Sequence, residues 1–136
     1  MTVQQAIERA NDLRAGNAVP DENKIEYLNE LEQGIYNDII LQHKYKPGSR
    51  FLDEQGEIIS CPNYSDGNTG ATLLVESPYD MLYVYWLTAK IDLFSREFNN
   101  YNTSMTLYLD VYTKYASKMQ RENDSIDTPE IKVGVF

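Results

Sequence analysis

The chain has 136 residues, 42% of them hydrophobic and 24% charged, enough for one core and too apolar for wholesale disorder. Its 21 acidic residues against 12 Lys and Arg leave a net charge of −9, which argues against wrapping a phosphate backbone. No stretch approaches the ~18 apolar residues of a membrane helix, so no membrane partner is expected. The first sixteen residues lack the apolar centre of a signal peptide, and the single cysteine, Cys61, has no partner for an internal disulfide. A reducing, cytoplasmic origin follows as the expectation.

In chain order, Thr2 with Gln5 forms a capping box, and Val3, Ala6, Ile7, Ala10 and Leu13 give one apolar stripe of a first helix. Gly16 stops it. Asp21 reads as the cap of a second helix whose buried face is Ile25, Leu28, Leu31, Ile35 and Ile39. Gly34 interrupts that face and leaves room for another helix to come close.

Residues 43–76 change character and read as an insertion with two or three short strands. "DEQG" looks like a hairpin turn and "NYSDGNTG" a turn or loop. The basic "HKYKPGSR" reads as a solvated loop. Ser77, Pro78 and Asp80 then read as the cap, first and third positions of a third helix. Its stripe is Leu82, Trp86, Ala89 and Leu93, flanked by Tyr79, Tyr83 and Tyr85. "NNYNTS" at 99–104 is expected to break it, and Met105, Leu109, Tyr112, Ala116 and Met119 mark a fourth helix. Residues 124–136 read as an extended tail ending in the strand-like "IKVGVF". The fold expected is mainly α: one four-helix domain over 1–123 with a strand or hairpin insertion between the second and third helices.

Chemistry is thin. His43 is the only histidine and pairs with no metal-ligand spacing. Cys61 has no neighbouring base in sequence, and "GNTG" lacks the Gly-Lys-Ser/Thr ending of a phosphate loop. Glu26, Glu30, Asp92 and Glu97 are spaced on helices as in all-helical magnesium-dependent nucleotide pyrophosphohydrolases, but more sparsely. No enzyme, cofactor or metal site is expected.

The run "SPYDMLYVYWLTAKIDLFSREFNNYNTSMTLYLDVYTKYASKMQREN" resembles the head–tail connector, or neck adaptor, proteins of long-tailed phages and prophages. The likeness is most specific in Pro-Tyr-Asp at 78–80, Ala89-Lys90-Ile91-Asp92 and Tyr101-Asn102. "TVQQAIERANDLRAGN" and "DENKIEYLNELEQGIYNDII" look like that family's first helical pair, so the layout is covered over residues 1–123. The resemblance implies an adaptor that assembles in the bacterial cytoplasm and resides in the virion neck. It would join a ring, typically of twelve subunits, between the portal protein and the next neck or tail protein. DNA would pass through its channel without specific binding. Ile131, Val133, Val135 and Phe136 are the candidate contacts for strand addition to a neighbour. Tyr64 and Asn68 are candidates in a loop that orders on assembly. The alternatives are another virion part (tail-completion or minor head protein), a regulatory binding module, and the pyrophosphohydrolase.

Overall fold

The computed structural model describes residues 1–126. Four helices carry the mainly α fold: α1 (Val3–Leu13), α2 (Asp21–Asp38), α3 (Met81–Phe94) and α4 (Phe98–Glu122). Two short strands, β1 (His43–Lys44) and β2 (Asp124–Ser125), pair antiparallel. The capping box of α1 forms in both directions, Gln5 N–H donating to Thr2 Oγ1 (3.1 Å) and Thr2 N–H to Gln5 Oε1 (2.9 Å). Val3, Ala6, Ile7 and Ala10 are buried, whereas Leu13 is exposed. Asp21 does not cap α2. Pro20 holds the extended cap position, and Asp21 is the first helical residue, with its carboxylate taking bonds from Lys24 Nζ (3.2 Å) and Asn11 Nδ2 (3.3 Å).

The insertion is less sheet-like than its sequence. "DEQG" does turn, with Gly56 at φ 81°, Asp53 N–H donating to Glu57 O and Ile59 N–H to Phe51 O. Pairing stops at one bridge, Leu52 to Ile58, and "ATLLVE" makes a single bridge, Thr72 to Thr2. Helix side chains take the backbone donors that a sheet would have used: Tyr64 N–H donates to Asn29, Leu74 N–H to Glu32 and Val75 N–H to the Tyr83 hydroxyl. The strand pair forms instead between the start of the insertion and the residues just after α4, with His43 opposite Ser125.

Ser77 and Pro78 are not helical. Residues 77–80 form turns, and Asp80, the residue before α3, makes no capping bond because its carboxylate lies 3.3 Å from the Met1 amino group. α3 packs against α1, α2 and α4, so it has no polar face. Leu82, Tyr83, Val84, Leu87, Ala89 and Ile91 are all buried, while Leu93 is exposed and Trp86 only half-buried. Tyr83 is thus core rather than flank.

The break falls earlier than "NNYNTS". Arg96 takes φ 59°, Glu97 N–H donates to Asp92 O (2.8 Å), and α4 begins at Phe98. The polar run continues as helix, with the Thr103 and Thr106 hydroxyls bonding back to Asn99 O and Asn102 O, one turn earlier. The buried residues of α4 are Ser104, Tyr108, Tyr115 and Met119. Of the expected stripe, only Met119 is fully buried. Met105, Tyr112 and Ala116 are half-buried and Leu109 is exposed, because Asp92 and Trp86 draw Ser104 and Tyr108 inward.

No helix comes close to Gly34: a Cβ there would meet nothing within 4 Å. Gly34→Ala is therefore expected to raise stability by about 1 kcal/mol through helix propensity alone. A thermal melt checks this, and a lowered midpoint would contradict the open surface at this position.

Candidate functional site

Two buried polar centres and one open groove organise the molecule. The first centre is Glu32, fully buried on α2. Its Oε2 accepts from Tyr64 OH (2.6 Å) and Leu74 N–H (2.9 Å), and its Oε1 accepts from Tyr83 OH. Tyr83 OH in turn accepts from Val75 N–H (2.9 Å). One carboxyl thus ties the insertion, at three of its residues, to α2 and α3. Burial pushes the Glu32 carboxyl above its ordinary value, opposed by the bonds from Tyr64, Tyr83 and Leu74. Burial and the Glu32 charge push both tyrosine hydroxyls up as well. These groups hold one another.

The second centre joins α1, α3 and α4. Arg14 grips Asp92 with two bonds, Nε to Oδ1 at 2.7 Å and Nη2 to Oδ2 at 3.0 Å. Ser104 Oγ donates to Asp92 Oδ2 (3.1 Å), and Thr88 Oγ1 donates to Ser104 Oγ (3.3 Å). The Asp92 side chain is 2% exposed and that of Arg14 is 30% exposed.

The groove lies between α2 and α4, with α3 at its base. Glu30, Leu31, Gly34, Ile35 and Asp38 form one wall, and Trp86, Tyr108 and Tyr112 the other. Its volume is ≈ 170 Å³. Trp86 and Tyr108 rings meet at 5.1 Å and Tyr108 and Tyr112 at 5.7 Å, with Trp86 Nε1 anchored on Tyr27 O (3.0 Å). Desolvation raises the Tyr108 and Tyr112 hydroxyls, and the Asp38 charge adds to it in both. The aromatic residues of the third helix are therefore divided. Tyr83 is core, and Trp86 is the wall of an open site.

Among the residues singled out from sequence, Tyr64 is buried and clasped by Asn29, whose Nδ2 donates to Tyr64 O (2.9 Å). It offers no side chain to a partner in this arrangement. Asn68 is exposed, but its Oδ1 accepts from Ser65 N–H (2.6 Å) and so closes its own turn. The loop is thus held by bonds of the free chain. Ile131, Val133, Val135 and Phe136 lie outside the described residues. His43 is buried rather than solvated, its Nδ1–H donating to Ile39 O (2.8 Å), and Arg50 of the same basic run reaches Leu74 O (2.6 Å). Burial, then the Glu32 charge, raises the Cys61 thiol, the wrong direction for a nucleophile.

Glu26, Glu30, Asp92 and Glu97 are not brought together. Glu30 pairs with Lys90 (3.3 Å) and Asp92 with Arg14. Among the described residues, no three His, Cys, Asp or Glu side chains are grouped to hold a metal, and no helix is long and apolar enough to cross a membrane. The residues that sequence reasoning missed are Glu32, Arg14 and Ser104. The signal for Glu32 was its place four residues after Leu28 and three before Ile35, on the buried face. Comparison with family models, with curated proteins and with solved structures finds no match to this chain.

Proposed function

We propose that the chain is a structural assembly protein, a head–tail connector of a long-tailed phage or prophage that packs as one subunit of a ring. The observation that carries this reading is the placement of its exposed apolar side chains. Leu93, Phe94 and Phe98 crowd the corner between α3 and α4, each 43% exposed or more. Leu107 and Leu109 of α4 are also exposed, and two residues apart on a helix they point ~200° away from one another. A subunit that meets one neighbour on each side needs two different surfaces, which is the requirement of a head-to-tail ring. Clustered exposed apolar groups mark such contacts. The net charge of −9 suits a channel through which DNA slides without adhering. The portal protein and the next neck or tail protein are the partners this reading names.

The test is to interrupt the gene in its phage or prophage and image the lysate. DNA-filled or leaking heads lying apart from finished tails are expected. Heads with no free tails would move the protein to tail assembly, and normal infectious particles would refute the reading. Complementation with a Phe94→Ser, Phe98→Ser chain is expected to reproduce the interrupted phenotype while the purified variant keeps its helical circular dichroism.

A further inference from the structure

We propose that the groove between α2 and α4 receives an arginine side chain presented by a partner protein, its guanidinium set against the Asp38 carboxylate and the Tyr108 and Tyr112 hydroxyls. The chain itself shows this chemistry at the other end of the groove. There the Lys90 ammonium lies 4.6 Å from the centre of the Trp86 ring and 5.7 Å from that of Tyr27, and it pairs with Glu30 at 3.3 Å. A cation between aromatic faces and a carboxylate is held by both. Asp38 stands about 12 Å further along α2 by helix rise, and there a carboxylate again meets aromatic side chains. Among the described residues, the Asp38 carboxylate makes no ion pair, and the Tyr108 and Tyr112 hydroxyls make no hydrogen bond.

Burial makes this end of the groove informative. Tyr108 is 7% exposed, so its hydroxyl has lost most of its water without gaining a partner among the described residues. The unpartnered side-chain atoms sealed from solvent are Glu76 Oε1 and Tyr115 OH; the Tyr108 hydroxyl is not one of them, and the groove is the space that Tyr108 lines. Desolvation raises the Tyr108 and Tyr112 hydroxyls and the Asp38 charge adds to it in both, so the three groups act on one another. The space of ≈ 170 Å³ is below the ~300–1,000 Å³ of a pocket for a drug-sized molecule, and suits one long side chain. Gly34 keeps it open, since it lines the groove and a Cβ there would meet nothing within 4 Å. A guanidinium is flat, lies on aromatic faces, and has five donors for a carboxylate and two phenol oxygens, whereas an ammonium has three and is more strongly hydrated. The net charge of −9 favours a partner whose surface is basic. The proposal does not depend on the connector reading, since any basic partner of the folded chain meets the same groups.

Trp86 is the only tryptophan and forms part of the wall, so its fluorescence reports occupancy. The full-length chain is titrated with the capped peptide Gly-Arg-Gly and with its lysine and glutamate counterparts, alongside the variants Asp38→Asn and Gly34→Leu. Asp38 is exposed and the position of Gly34 is open, and circular dichroism checks that both variants are folded. A saturable change in Trp86 emission is expected with the arginine peptide, a weaker affinity with lysine and no response with glutamate. Asp38→Asn should weaken arginine binding about tenfold, the loss of one charge-assisted contact, and Gly34→Leu should abolish it by filling the groove. No saturable response up to tens of millimolar peptide would overturn the proposal, as would an affinity unchanged in Asp38→Asn or equal for the arginine and glutamate peptides. Spermidine bound more tightly than the arginine peptide would also overturn it, by assigning the groove to a free polyamine.

Discussion

Glu32→Ala is expected to lower stability by about 3–5 kcal/mol and to release the insertion from the helices. Removal of the carboxyl strands three buried donors, Tyr64 OH, Tyr83 OH and Leu74 N–H, at about 1–3 kcal/mol each before relaxation. A domain of this kind has ~5–15 kcal/mol in all, so the variant sits near the edge of folding. Urea unfolding measures the loss, and hydrogen exchange locates it: the Leu74 and Val75 amides should lose protection before those of α4. A loss below about 1 kcal/mol would show that the network is not what binds the insertion.

Glu32 also gives this network a pH dependence with a definite sign. Its folded-state value lies above the ordinary 4.5, so the folded chain keeps the proton where the unfolded chain releases it. The associated stability is complete below the ordinary carboxylate value and is lost as pH rises through the folded-state value. Glu32→Gln keeps the size but cannot titrate. The stability difference between parent and Glu32→Gln is therefore expected to shrink as pH rises above 4.5. A difference that grows with pH would mean that the bonds from the tyrosines outweigh burial.

α1 and α2 were legible because their apolar residues recur at helical spacing, and α1 was legible to its cap because the Thr2 and Gln5 side chains each bond the other's backbone N–H. What failed did so for identifiable reasons. The turn into α4 rests on Arg96 at φ 59°, and no glycine marks it, whereas the asparagines a few residues later look like a break and are helix. The α4 face was misread because a serine and two tyrosines, Ser104, Tyr108 and Tyr115, are buried while Leu109 faces water. Asp92 and Trp86, on another helix, decide that preference, and local periodicity does not contain it. Polar residues at buried positions were the missed signal throughout. Lys24, Glu32 and Asp92 each occupy an interior place and each is partnered from outside its own helix, Lys24 by Asn11 and Val19 O, Glu32 by Tyr64 and Asp92 by Arg14. The groove was illegible for a similar reason, since its walls come from three helices that only the fold brings together.

Arg14→Ala is expected to cost about 3 kcal/mol, most of it from leaving Asp92 buried with Ser104 as its remaining donor. The lower end of the buried-pair range applies because part of the Arg14 side chain meets water. Arg14→Lys should recover only a fraction, since an ammonium cannot reproduce the two parallel bonds at 2.7 and 3.0 Å. Asp92→Asn should cost less than Arg14→Ala, because a neutral amide needs no counter-charge in the interior. Urea unfolding of the two single variants and the double variant gives the coupling, expected at more than about 1 kcal/mol; additivity would mean that the pair does not act as a unit. The location gives the variant a second consequence. Leu93 and Phe94 directly follow Asp92, and Phe98 opens the helix that Ser104 holds to it. The apolar corner proposed as a subunit contact thus has its direction set by this pair. Arg14→Ala should impair particle assembly more than Gly34→Ala does, even at a temperature where both chains are folded, because it loosens the surface as well as the core.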